Sequence, residues 1–152
     1  MPATKPLLIA NWKLNHSKAS ARDFFEHVVP ALARVESVDV AVAPVALHLD
    51  FVAQTLAGTS ISVAAQNLFY EEKGAFTGEW SAGQLKELGV KLAIVGHSER
   101  RTLFKETDQD VAKKALASVK AGIIPVICVG ESLAERDAGL LAQVLERQCL
   151  TV

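Results

Sequence analysis

With 152 residues, half of them hydrophobic, the chain has the length of one ordinary domain and enough apolar side chains for a real core. Sixteen basic residues against seventeen acidic ones give a formal net charge of -1 without a long run of either sign, so there is no electrostatic footprint for nucleic acid or an anionic membrane, and a small-molecule partner is expected. The opening "MPATKPLLIANWK" is too short in its apolar run for a signal-peptide core or a membrane span, so a cytoplasmic location is expected; Cys128 and Cys149, without CxxC spacing, read as buried reduced thiols.

In chain order, short β-rich runs recur as "PLLIAN" (6–11), "VDVAVA" (38–43), "SISVAAQ" (60–66), "KLAIVG" (91–96) and "IIPVICVG" (123–130). Their nearly continuous apolar character predicts strands covered on both faces, as in a parallel sheet. Between them the period changes. Phe24, Phe25, Val28, Val29 and Leu32 make one helical stripe, which Pro30 should bend or end near Val29, and Val111, Ala115, Leu116 and Val119 make a second. Ser81 to Gln84, Thr107 to Asp110 and Ser132 to Glu135 have the spacing of capping boxes, and Leu140, Leu141, Val144 and Leu145 form a last stripe. Strand and helix alternate without a linker, which predicts consecutive right-handed βαβ units in a single domain over 1–152. An open doubly wound sheet and part of a (β/α) barrel both satisfy this pattern, and in either the loops at the carboxyl ends of the strands build the site. No G-x-G-x-x-G or G-x-x-x-x-G-K-[ST] is present, so the polar residues at strand ends carry the functional case.

After the first strand comes "NWKLN". If strand alternation runs on through it, Ile9, Asn11 and Lys13 share one side while Ala10 and Trp12 face the other. A lysine can neutralise a phosphate or polarise a carbonyl, and Asn11 can donate to either; the plainer reading of this motif alone is a surface-loop lysine. The same alternation groups Ala93, Val95 and His97, which brings His97 to the same sheet end, where it can exchange a proton near neutral pH or simply cap a loop. His16, His27 and His48 sit in loop or helix contexts and read as solvated.

The motifs "NWKLN", "AQN" (65–67), "GAFTGE" (74–79), "VGHSERR" (95–101) and "ICVGE" (127–131), in this order and at these intervals, resemble the triosephosphate isomerase family from residue 6 to beyond residue 139. The resemblance implies a TIM barrel, a small phosphosugar substrate, no metal or cofactor, and a homodimer. It implies interconversion of dihydroxyacetone phosphate and glyceraldehyde 3-phosphate by proton transfer through an enediolate. Asn11 and Lys13 would contact the substrate, Lys13 would stabilise the developing negative charge, and His97 would be the electrophile that moves a proton between the two oxygens. Ser98 would open the short helix behind His97, and Glu99 would be a buried carboxylate close to the lysine. Thr77 would reach the partner's site, and Glu79 and Arg100 would form a charge pair across the same interface.

A complete barrel of eight βα units needs roughly 250 residues. This chain supplies five units, so a barrel truncated after the fifth unit is expected, with nothing that resembles the family's strand-end glutamate, mobile lid or phosphate-holding loops. Glu99 and Glu131 lie near strand ends, but each reads as structural, and the chain alone is expected to be inactive. The first and fifth strands should be sheet edges, and barrel-facing Ile9, Val42 and Val95 should lose partners. A non-catalytic remnant or an assembly module with exposed edges is the alternative reading.

Overall fold

A computed structural model describes residues 5–152. Each apolar run becomes a strand trimmed at its ends: β1 (Leu7–Asn11), β2 (Asp39–Ala43), β3 (Ile61–Ala65), β4 (Leu92–Val95) and β5 (Ile124–Ile127). All pair in parallel in the order β1-β2-β3-β4-β5, with Asn11 level with Ala43 and Val95 level with Ile127. A doubly wound sheet reverses its strand order at a switch point; this sheet never does, which selects the barrel-type winding. Pro125 is tolerated in β5 because neighbouring Ile124 and Cys128 turn their N–H groups toward β4, so the missing proline N–H falls on the open edge.

The connecting helices are α1 (Lys18–Leu32), α2 (Leu49–Thr55), α3 (Ala82–Glu87), α4 (Ser98–Leu103), α5 (Asp108–Lys120), α6 (Leu133–Asp137) and α7 (Leu141–Thr151). The three expected capping boxes form at Ser81, Thr107 and Ser132, and a fourth forms between Ser17 and Ser20, where serine replaces the usual Glu or Gln as the returning partner. The main core lies between sheet and helices, where Phe25, Val52, Leu68 and Leu85 pack on Val42, Val63 and Ala65. The opposite face carries Ile9, Ala41, Ala43, Ala64, Leu92 and Ile94, the small set that lines the inside of a curled sheet.

Four expectations need correction. Val42 and Val95 face the helices rather than the barrel interior and are buried there, at 2% and 0% exposed, because Ala41, Ala43 and Ile94 on either side take the inner face. Ile9 does face the interior. α1 passes Pro30 and closes at Leu32, since a missing N–H in the final turn removes only one helical bond, and the Ala33 N–H finishes the helix on the Pro30 carbonyl. In α5, Leu116 and Val119 are exposed: at about 100° per residue they fall beyond the inward face, which Val111, Lys114, Ala115 and Ser118 occupy. Cys128 is half-buried, but Cys149 lies on the outer side of α7, whose inward positions are Val144 and Gln148.

β1 and β5 are the sheet edges, as expected, and Leu8 and Ile124 on them are 61% and 62% exposed. Among the described residues no helix is long and apolar enough to cross a membrane.

Candidate active site

The carboxyl ends of β1, β3 and β4 open into one cleft of about 540 Å³, with Asn11, Lys13, Gln66, His97, Glu99 and Arg100 on its wall. Simple alternation does not deliver these side chains. β1 ends at Asn11, Trp12 turns into the helix-side core, and Lys13 adopts a left-handed φ of 52°. Such a backbone is unfavourable for lysine and has to be held. The Lys13 N–H donates to Asn11 Oδ1 at 3.0 Å, while Gln66 Nε2 donates both to the Lys13 carbonyl at 2.9 Å and to the Ala43 carbonyl at 2.8 Å. Because its oxygen is engaged, Asn11 has its amide N–H groups left to offer a ligand.

β4 ends in a comparable break. Gly96 has a φ of 71°, and a Cβ at this position would stand 2.8 Å from a methyl of Val111 on α5, so the turn requires glycine. The turn reverses the side on which the next residue emerges and makes His97 the N-cap of α4. The Glu99 N–H donates to His97 Nδ1 at 3.2 Å, which leaves Nε2 as the N–H donor of the neutral ring. Lys13 Nζ reaches across 86 positions of sequence to Glu99 Oε1 at 2.6 Å.

Glu99 is therefore close to the lysine as expected, but it is not buried: its side chain is 46% exposed, because it lines the open cleft. The Lys13 hydrogen bond, the largest influence on it, holds the Glu99 carboxyl below its ordinary value. Glu131 hydrogen-bonds its own backbone and Arg136, which lowers it as well, and it lies outside the cleft. Ser98 opens α4 and lines a second cavity of about 440 Å³ with Arg101 and Asp108. An ammonium, an imidazole N–H and a carboxamide N–H thus line one space, a donor set suited to an oxygen on which negative charge develops.

The family model described as triosephosphate isomerase matches residues 6–152. The chain belongs to the triosephosphate isomerase family. A "Triosephosphate isomerase" of Citrifermentans bemidjiense is 46% identical over 144 residues, which cover 95% of this chain and 57% of that protein. One of Rubrobacter xylanophilus is 46% identical, covering 97% of this chain and 58% of that protein. The crystal structure of triosephosphate isomerase from Bartonella henselae superposes with a TM-score of 0.91 at 34% identity, covering 97% of this chain and 61% of that one. The chain thus spans a little under three fifths of the length of the curated triosephosphate isomerases it matches, and its fold is five βα units of a TIM barrel.

Of the remaining residues singled out by the resemblance to triosephosphate isomerase, Arg100 lines the cleft and Thr77 and Glu79 do not. Thr77 and Glu79 are exposed on the segment between β3 and α3, where Phe69 stacks on Tyr70 at 4.3 Å and meets Phe76 at 4.7 Å. Arg100 does not pair with Glu79 within the chain; its Nε donates to Glu106 at 3.2 Å and its guanidinium covers the Phe104 ring. Glu106 also receives Lys114, which in turn donates to Asn67 Oδ1 at 2.8 Å. Gln66 and Asn67 stand in the "AQN" motif and Arg100 is expected at an interface, but the hold of Gln66 on the Lys13 turn and this largely buried Asn67–Lys114–Glu106–Arg100 network are absent from the sequence reading. Its visible trace was a lysine three residues after Val111, on the inward face of α5.

Proposed function

We propose that this chain supplies the electrophilic half of a triosephosphate isomerase active site, in a protein that interconverts dihydroxyacetone phosphate and glyceraldehyde 3-phosphate. The observation that carries the reading is the meeting of Lys13, Glu99 and His97 in one cleft, with Asn11 beside them. In this reading His97 donates through Nε2 to the substrate oxygens and shuttles a proton between them, while Lys13 neutralises the enediolate charge and Asn11 orients the substrate. Glu99, occupied by Lys13, positions the lysine rather than abstracting the carbon proton. The general base, the lid and the phosphate-holding loops come from outside these 152 residues, and no metal or cofactor takes part.

A homodimer goes with this reading. Leu14 and Leu47 stand 93% and 90% exposed beside the cleft, joined by exposed Leu103 and Phe104, an apolar rim suited to a second subunit. Thr77 would reach Asn11 of the other subunit from there, and Glu79 and Arg100 would face each other across the contact. A cytoplasmic location suits two free cysteines. The exposed edges of β1 and β5 favour, as a second reading, an assembly module without catalysis.

The test is a coupled isomerase assay on two proteins: the 152-residue chain, and a chimera continued by the C-terminal part of the Citrifermentans bemidjiense relative. No turnover from the chain alone, and turnover from the chimera that His97→Gln abolishes, is the expected result. A folded chimera without turnover overturns the isomerase reading in favour of the assembly module.

A further inference from the structure

Arg101, next to the residues of the proposed site, does not line the cleft, yet its side chain makes three polar connections of its own. Its Nε donates to the Gly96 carbonyl at 2.8 Å and its Nη2 to the Cys128 carbonyl at 3.3 Å, while Nη1 pairs with Asp108 at the start of α5. The other Asp108 oxygen receives Arg147 Nε of α7 at 2.9 Å. One guanidinium therefore ties the ends of β4 and β5 to two helices. Burial works to raise the Asp108 carboxyl, but the hydrogen bonds from Arg101 and Arg147 outweigh it and hold the group below its ordinary value, so the latch is ionised at neutral pH.

The bond to Gly96 is the informative one. The Gly96 carbonyl belongs to the peptide plane that enters His97, so fixing this oxygen fixes the rotation on either side of it, ψ of Gly96 and φ of His97. Gly96 has no side chain to resist rotation, and its φ of 71° is available to glycine alone at little strain. The missing Cβ also makes room for the latch, since a Cβ would stand 3.0 Å from Arg101 Nη2. Within α4, the Arg100 and Arg101 N–H groups bond the His97 carbonyl, and the Glu99 N–H bonds the ring. The plane before His97 has the Arg101 side chain as its anchor.

We infer that Arg101 is a positioning residue for His97: by clamping the Gly96 carbonyl against β5 and Asp108, it sets the direction in which the imidazole Nε2 enters the cleft. A bidentate, rigid guanidinium fits this task, because a lysine ammonium at the same place reaches Asp108 without spanning both carbonyls. The inference rests on reading His97 as the electrophile, and its test reads the ring itself, so loss of one reading is distinguishable from loss of the other.

The measurement is ¹⁵N NMR of the His97 ring in the 152-residue chain, assigned with His97→Gln, beside Arg101→Lys, Arg101→Gln and, as a control for general destabilisation, Arg147→Ala. In the unaltered chain, a slowly exchanging Arg101 Nε–H with a scalar coupling across the bond to the Gly96 carbonyl carbon is expected, and a fast-exchanging, uncoupled Nε–H overturns the proposal even if neither Arg101 variant folds. Arg101→Lys and Arg101→Gln should move the ring from one dominant Nε2–H tautomer toward the mixed pattern of a free histidine, with Arg101→Lys the milder. Arg147→Ala should leave the ring pattern unchanged. Folded Arg101 variants with the unaltered ring pattern overturn the proposal and make Arg101 a stability residue only. In the chimera, Arg101→Lys should lower kcat with KM nearly constant; a chimera that never turns over, with the ring shift intact, removes the isomerase reading and leaves the clamp.

Discussion

Two lysine–glutamate pairs stand at opposite extremes of solvent access in this chain. Lys13 and Glu99 meet at 2.6 Å with side chains 52% and 46% exposed, whereas Lys114 and Glu106 meet with 5% and 4% exposed. The buried pair belongs to a network that extends to Asn67 and Arg100, and Glu106 Oε2 is buried without a hydrogen-bond partner among the described residues. The open pair has no such surroundings; one face of each side chain is left to water and to whatever enters the cleft. The same two residue types therefore serve different ends. In water the attraction is nearly offset by hydration, so Lys13 and Glu99 contribute little to folding and remain available to a ligand. In the interior, neither member of Lys114–Glu106 can lose the other without leaving a charge that water cannot reach.

The sharpest way to break this contrast is to remove each lysine in turn. Lys114→Met should cost about 3–5 kcal/mol of stability, read from the urea midpoint, because Glu106 is left buried beside a single remaining cation, Arg100. The double variant Lys114→Met with Glu106→Leu should recover part of that loss, since an apolar pair leaves no charge to compensate. A single variant as stable as the unaltered chain would mean that water reaches Glu106.

Lys13→Met should behave oppositely, with an unchanged urea midpoint in the 152-residue chain. In the chimera it should reduce turnover by roughly 10² to 10³-fold, the usual effect of removing one donor from a site that stabilises developing negative charge. A Lys13 variant that loses stability but keeps turnover would reverse the assignment of the two pairs.

The contrast also marks how far the sequence could be read. The five strands and three of the four capping boxes follow from local patterns, because apolar runs and the Ser or Thr at helix starts are written in neighbouring residues, whereas the sheet edges follow from the resemblance to a barrel of which five units are present. The cleft members Asn11, Lys13 and His97 were legible as strand-end polar residues, yet the alternation invoked to group them stops short of the site. Left-handed turns at Lys13 and Gly96 aim them instead, and the bonds that hold the Lys13 turn come from Gln66, 53 positions away. Hydrophobicity alone ranks Leu116 and Val119 inside and Lys114 outside. Only the phase of α5 against β4, together with partners contributed by Asn67 and Glu106, brings it inside. Around the site, what escaped the sequence is a set of polar residues whose partners are remote.

The smallest expected effect concerns Glu99. Its carboxyl is held below the ordinary value of 4.5, chiefly by the Lys13 hydrogen bond, which outweighs the opposing effect of burial. A carboxyl lowered in the folded state contributes fully above its unfolded value and loses that contribution as pH falls through the lower, folded one. The Lys13–Glu99 contact should accordingly persist through pH 4.5 and open only in more acidic solution. Following the Glu99 side-chain carboxyl carbon by ¹³C NMR should give a midpoint below 4.5 in the unaltered chain and one nearer the ordinary value in Lys13→Met. Equal midpoints in the two proteins would mean that the lysine is not beside Glu99 in solution. The open pair would then be no pair at all, and the cleft would have to hold its ammonium elsewhere.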